Sequence, residues 1–140
     1  MTRKWTALDM GKLGTRHAEL EALCDLEGVL ATLVPEPRYE FWPMGLQMSG
    51  GQTVRRYYEQ LFAHFISRTR SYQLVAQWLD ETAVVQEYAL ELEVDGSIES
   101  HRILGILYAE GDLLGGERVY TSEHCTRRMV GDLWTELTPI

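Results

Sequence analysis

The 140-residue chain has no asparagine, only two cysteines and four prolines, and no apolar run near the roughly 20 residues that a membrane-spanning helix needs. Each shortage excludes a class of protein. Without asparagine there is no N-glycosylation sequon. Cys24 and Cys125 are too few for a disulfide framework and form no Cys-x-x-Cys pair, so both are read as reduced, buried thiols. Basic residues are outnumbered 13 to 21 by acidic ones, and the net charge of -8 repels phosphate backbones, which argues against nucleic acid as a partner. The start, Met1-Thr2-Arg3-Lys4-Trp5, has no apolar signal core behind it, so a soluble cytoplasmic protein with no membrane partner is expected. His17, His64, His101 and His124 show no paired-ligand spacing, and no P-loop, Gly-x-Ser-x-Gly elbow or dinucleotide glycine pattern occurs. Neither a metal nor a cofactor is expected.

What the chain does have is enough apolar material, 45% of residues, for one core. Residues 1–14 read as an N-terminal tail and 15–140 as a single domain. From Thr15 as a cap, Leu20, Leu23, Cys24, Leu26, Leu30 and Leu33 form the stripe of an amphipathic helix that Pro35 and Pro37 end. Tyr39 to Trp42 is a short β-type run stopped by Pro43, and Met44 to Gly50 a loop. Val54, Tyr57, Tyr58, Leu61, Phe62 and Phe65 fall on one face of a second helix, with Ser49 and Gln52 placed as a capping box. Four strands follow, at about 72–79, 82–94, 98–110 and 113–124, with turns at Asp80-Glu81, Asp95-Gly96 and Glu110-Gly111-Asp112. The segment from Cys125 to Trp134 suits either a helical turn or a continuing strand. Helices ahead of a coiling antiparallel sheet define an α+β domain whose strongly curved sheet wraps around them and encloses a pocket.

Register assigns the faces. A two-residue turn at Asp95-Gly96 pairs Val94 with Ser97, Leu90 with His101 and Tyr88 with Ile103. A two-residue turn in the next hairpin sets His101 opposite Tyr120 or Ser122. One face then carries Tyr88, Leu90, His101, Ile103, Leu107, Arg118, Tyr120 and Ser122, and the other Val85, Glu87, Ala89, Arg102, Leu104, Glu117 and Val119. Both faces mix apolar and ionisable groups, which a pocket on one side and a subunit interface on the other would explain.

The order of elements, with Tyr39-Glu40-Phe41-Trp42-Pro43, Gly51 leading into the second helix, Val84-Val85-Gln86-Glu87, Glu117-Arg118-Val119-Tyr120 and Met129-Val130-Gly131, resembles the SnoaL-like branch of the nuclear transport factor 2-like superfamily. The resemblance covers roughly residues 15–132. It implies a cone-shaped α+β fold, usually dimeric, on which polyketide cyclases, ketosteroid-isomerase-like enzymes, epoxide-hydrolase-like enzymes, dehydratases and pure binding modules are built. Many relatives carry an aspartate two residues after the final-strand tyrosine. Ser122 stands there in this chain, and Glu123 points the other way by alternation.

Candidate residues follow from the faces. His101 beside Tyr120 offers an imidazole that titrates near neutrality and a hydroxyl to orient it, and Glu87 a mid-strand carboxyl that burial would turn into a base. Set against these are a histidine on a solvated strand and a plain Glu87–Arg102 ion pair. Arg118 and Ser122 are candidates for orienting a ligand, and Trp42, Tyr57, Tyr58 and Tyr88 for lining an apolar cavity. Two functions are open. One is a homodimer, paired through the sheet, that binds a small hydrophobic or aromatic molecule and isomerises, cyclises or dehydrates it by cofactor-free acid–base catalysis. The other is a non-catalytic ligand-binding or interaction module on the same scaffold. A Glu87 paired with Arg102 in solvent favours the module; a desolvated Glu87 facing a cavity favours the enzyme.

Overall fold

The computed structural model describes residues 4–140. Helix α1 spans Ala7–Ala22 and is capped by Thr6, whose hydroxyl accepts from the Asp9 amide while the Asp9 carboxylate accepts from the Thr6 amide. The helix thus begins well ahead of Thr15, and most of the expected tail is its first two turns. Trp5 docks in front of it, its indole N–H donating to the Gly111 carbonyl at 2.7 Å. The buried positions of α1 are Met10, Gly14 and His17. Leu23 is exposed, and so is Cys24, which was expected to be buried; Cys125 is buried. At Gly14 a Cβ would lie 2.4 Å from Val84 Cγ1, so glycine lets the helix settle onto the sheet.

A short helix α2 (Leu26–Ala31) leads into β1 (Leu33–Trp42), which runs through both prolines. Its pairing is interrupted between Leu33 and Arg38, the stretch where proline could donate no ladder bond. The expected loop contains β2 (Leu46–Ser49). Helix α3 (Gly51–His64) starts from Gly50 with no side-chain cap, so the Ser49–Gln52 capping box does not form. The remaining strands are β3 (Thr69–Leu79), β4 (Ala83–Val94), β5 (Ser97–Glu110), β6 (Leu113–Tyr120) and β7 (Thr138–Pro139). Helix α4 (Glu123–Val130) and a 3-10 turn (Gly131–Glu136) lie between β6 and β7, which resolves the Cys125 to Trp134 segment as helical.

The seven strands form one open mixed sheet in the order β3-β4-β5-β6-β1-β2-β7, with β1 and β6 parallel. The helices pack on one face. Tyr39 and Phe41 of β1 meet Tyr57 and Tyr58 of α3 with rings 5.6 to 6.1 Å apart, an aromatic centre for the core.

Two hairpins set the faces of the sheet, and they differ. Between β4 and β5, Val94 pairs with Ser97, Leu90 with His101 and Tyr88 with Ile103, as the Asp95-Gly96 turn requires. Between β5 and β6 the turn is Gly111-Asp112, with Glu110 opposite Leu113, but the register then shifts between Ala109 and Tyr108, which pair with Leu114 and Gly116. Gly115 is the extra residue of a β-bulge. Beyond it every side chain of β6 lies on the face opposite to the expected one: Tyr120 pairs with Leu104, Arg118 with Ile106 and Glu117 with Leu107. Gly116 adopts φ +147°, and a Cβ there would fall 1.8 Å from the Arg38 carbonyl oxygen, so only glycine fits between β5 and β1.

Candidate functional site

The bulge turns Glu117 inward. It faces a cavity of about 340 Å³ between the sheet and helices α1 and α3, walled by Tyr57, Leu61, Phe65, Tyr88, Leu90 and Ile103, with His17, Glu21, Thr69, Tyr72 and Gln86 adding polar groups. A Cβ at Gly105 would lie 2.3 Å from Glu117 Oε1. The carboxyl therefore occupies space that a missing side chain on β5 leaves open. No hydrogen-bond donor among the described residues reaches that carboxyl, which is partly buried at the cavity wall. Burial first, and the Glu21 charge second, raise its pKa from 4.5 to about 8. At neutral pH it is mostly a neutral acid, and a small rise in pH or a nearby positive charge makes it a base.

Beside it runs a buried chain of polar groups. The Thr32 hydroxyl donates its proton to the Val29 carbonyl (2.6 Å), so in its 2.7 Å contact with His17 Nδ1 the imidazole must be the donor. In the neutral ring this leaves Nε2 as an acceptor, 3.2 Å from the Tyr58 hydroxyl and 3.4 Å from Glu21 Oε2. Tyr58 in turn meets the Tyr39 hydroxyl at 2.5 Å. Burial raises the pKa of Tyr39, Tyr57 and Tyr58 well above the ordinary phenol value and keeps all three neutral. Tyr88 donates to Gln86 Oε1 at 3.2 Å, and Gln86 donates to Gln77. The Tyr57 hydroxyl has no protein partner among the described residues and belongs to the cavity wall.

The structure separates the residues that the sequence grouped together. Of the nine candidates, Tyr57 and Tyr88 line the cavity, and Tyr58 sits behind it in the His17 chain. His101 does not meet Tyr120. At the far end of β5, its Nε2 lies 3.0 Å from Glu99 Oε1; Glu99 also holds His124 and both forks of the Arg128 guanidinium. Glu99, His101 and His124 bring three ligand-type atoms within 4.8 Å of one another, but the carboxylate is already engaged by Arg128, which a cation would have to displace. Glu87 pairs with Arg102 on the opposite face of the sheet. Tyr120, 40% exposed, stacks on Trp42 outside the cavity. Arg118 lies 4.8 Å over the Tyr108 ring and reaches Glu40, and Ser122 caps α4 by accepting from the Cys125 amide. The bulge explains the displacement of Arg118 and Tyr120, and the end of β6 at Tyr120 that of Ser122.

Three residues were missed: Glu117, His17 and Glu21. The signal for Glu117 was Gly115-Gly116, since glycine inside a strand pattern marks a bulge. The signal for the other two was the spacing of Met10, Gly14, His17 and Glu21, an inward helical face hidden by the assignment of its first half to a tail.

Comparison with known proteins shows the fold. No family model and no curated protein matches the sequence. Solved structures do match: PrhC from Penicillium brasilianum (16% identity, 93% of this chain and 91% of that one, TM-score 0.67) and an LEH-like epoxide hydrolase of M. tuberculosis (14% identity, 88% and 87%, TM-score 0.66). An NTF2-like protein from Anabaena variabilis is similar too (18% identity, 82% and 90%, TM-score 0.64). The chain has the α+β cone fold of the nuclear transport factor 2-like superfamily. Among the described residues no helix is long and apolar enough to cross a membrane.

Proposed function

We propose that the protein binds a small hydrophobic or aromatic molecule in the cavity and moves a proton on it without a cofactor, with Glu117 as the acid–base group. The observation that carries this reading is a carboxyl with no hydrogen-bond donor among the described residues, its pKa raised by burial to about 8, facing a largely apolar cavity. Similarity in fold to an epoxide-hydrolase-like protein supports small-molecule chemistry on such a cone. In this reading His101, Tyr120 and Glu87 are structural, and Tyr57 and Tyr88 contact the ligand. Ionised Glu117 takes a proton from carbon beside a polarised group and returns it. The neutral Tyr57 hydroxyl, without a hydrogen-bond partner among the described residues, donates to the oxygen on which charge develops. The sheet face turned away from the cavity pairs two copies of the chain.

The Glu87–Arg102 ion pair satisfies the criterion set for a non-catalytic module, but the desolvated carboxyl that the enzyme requires is present at Glu117. Exchange of the α-protons of tetralone, a bicyclic ketone, for deuterium tests the point by NMR. The protein should accelerate exchange with a rate that climbs as pH rises through about 8, and Glu117→Gln should lower it by about 10²–10⁴-fold, the usual worth of a general base. Equal exchange by the variant and the parent protein would overturn the catalytic reading.

A further inference from the structure

The charges around the cavity identify the kind of molecule that fits it. Among the described residues no lysine or arginine lines it, whereas two carboxyl groups, Glu21 and Glu117, do. Among the described residues the titratable groups around Glu117 and its cavity are Glu21 and His17 from α1, Tyr57 and Tyr58 from α3, Tyr39 from β1, Tyr72 from β3 and Tyr88 from β4; the phenols carry no positive charge, and His17 is already engaged by Thr32, Tyr58 and Glu21. Four aromatic residues, Tyr57, Phe65, Tyr72 and Tyr88, share the walls with aliphatic side chains, and the rings of Tyr72 and Tyr88 stand 6.1 Å apart and tilted, so π-faces line the same cavity as the two acids.

Two further observations point to a ligand rather than to a merely acidic spot. The Glu117 carboxyl faces the cavity without a donor among the described residues, and a gap at Gly105 is kept open for it. The Tyr57 hydroxyl shares the cavity and is likewise unpartnered there. An unpartnered acceptor in an apolar cavity with aromatic rings in its walls is completed by a charged N–H donor on an apolar body.

We infer that the cavity takes a hydrophobic amine, bound as its ammonium ion between Glu117, Glu21 and the tyrosine rings. This rests on the acid–base reading of the same cavity and deepens it. On binding, the Glu117 acid gives its proton to solvent and the carboxylate pairs with the ammonium, so charge is conserved and the base is generated by its own substrate. A neutral ligand leaves Glu117 protonated at neutral pH, and an anionic one meets two acids and, among the described residues, no lysine or arginine.

Aminotetralin, tetralol and tetralin carboxylate, which place an ammonium, a hydroxyl and a carboxylate on one bicyclic skeleton, make the test by titration calorimetry at physiological ionic strength. Aminotetralin should bind about tenfold or more tightly than tetralol, as a charge-assisted bond should over a neutral one, and the carboxylate weakest of the three. The amine stays protonated throughout, so its affinity should rise with pH and level off above about 8 as Glu117 ionises. Titrations in buffers of different ionisation enthalpy should show net proton release at neutral pH. Glu117→Gln should abolish the release and the amine's advantage while tetralol binding persists, which also shows that the variant is folded. Equal affinities for amine and alcohol, or an undiminished amine preference in Glu117→Gln, would overturn the inference. If tetralol binds and tetralone exchanges but the amine has no advantage, only the charge assignment falls. If none of the compounds binds, both readings fall.

Discussion

At the scale of single residues, Glu117 is held in its cavity at a cost to the fold. Its pKa is raised from 4.5 to about 8, so the folded state binds the proton more tightly than the unfolded chain does. The cost is absent below about pH 4.5, grows as pH rises through the window and is complete above about 8. Glu117→Gln, which keeps the shape and removes the ionisation, should therefore leave stability nearly unchanged at pH 5 and raise it by roughly 1–3 kcal/mol at pH 9. Urea unfolding at the two pH values checks this, and a gain that does not depend on pH would show that Glu117 is not desolvated. A carboxyl whose removal stabilises the protein and also slows the proposed proton exchange would be one kept for function rather than for folding. Glu99 shows the contrast. The Arg128 guanidinium and two imidazoles hold its pKa well below the usual range, and its work is to tie α4 to β5.

At the scale of elements, the bulge at Gly115 determines which chemistry the sheet presents. If β6 continued in register from the Gly111-Asp112 turn, Arg118 and Tyr120 would enter the cavity and Glu117 would leave it. Gly116→Ala should destabilise the fold by on the order of 2–4 kcal/mol, because the added methyl meets the β1 backbone and no flexible side chain is there to yield. Thermal unfolding measures this; an unchanged midpoint would mean that β6 can shift away from β1, and that the inward direction of Glu117 is not fixed by Gly116. The two hairpins also show what a sequence of this kind reveals about itself. Asp95-Gly96 closes a regular two-residue turn, with Asp95 at φ +51° and Gly96 at +80°, so parity alone places every partner along β4 and β5. The second hairpin carries the same kind of turn, but one inserted glycine reverses the parity, and counting from the turn puts Glu117 on the outer face. Helix α1 was obscured differently: its cap, Thr6, lies ahead of two glycines, Gly11 and Gly14, that read as breakers, whereas Gly14 is needed for contact with Val84. The aromatic face of α3 was legible because six apolar positions at helical spacing leave no other face to bury.

At the scale of the whole molecule, the cone leaves one sheet face inside and the other without cover. On the outer side lie Trp78, 55% exposed, and Tyr120 stacked on Trp42, with half-buried Val85, Leu104 and Ile106 between them and the Glu87–Arg102 pair across the middle. Among the described residues helices cover the cavity side only, and a mixed apolar and ionic surface of this kind suits a second copy of the same chain, since a two-fold axis brings each patch against itself. The charge balance adds to the case. At a net -8 two copies repel at long range, so association requires local pairing, and Glu87 and Arg102 side by side allow reciprocal pairing across the axis. In solution the protein should have twice the chain mass by light scattering at micromolar concentration, and Leu104→Asp, which sets a charge in the centre of that face without touching the cavity, should shift it to monomer. Because Leu104 pairs with Glu87 on β4 and with Tyr120 on β6 from the outer side, the variant should still bind tetralol. A parent protein that is monomeric at that concentration would leave this face for a different partner and would separate the interface from the proton chemistry. A dimer that survives Leu104→Asp would place the contact elsewhere, with the edge strand β3 and its exposed Tyr72, Leu74 and Val75 the next surface to alter.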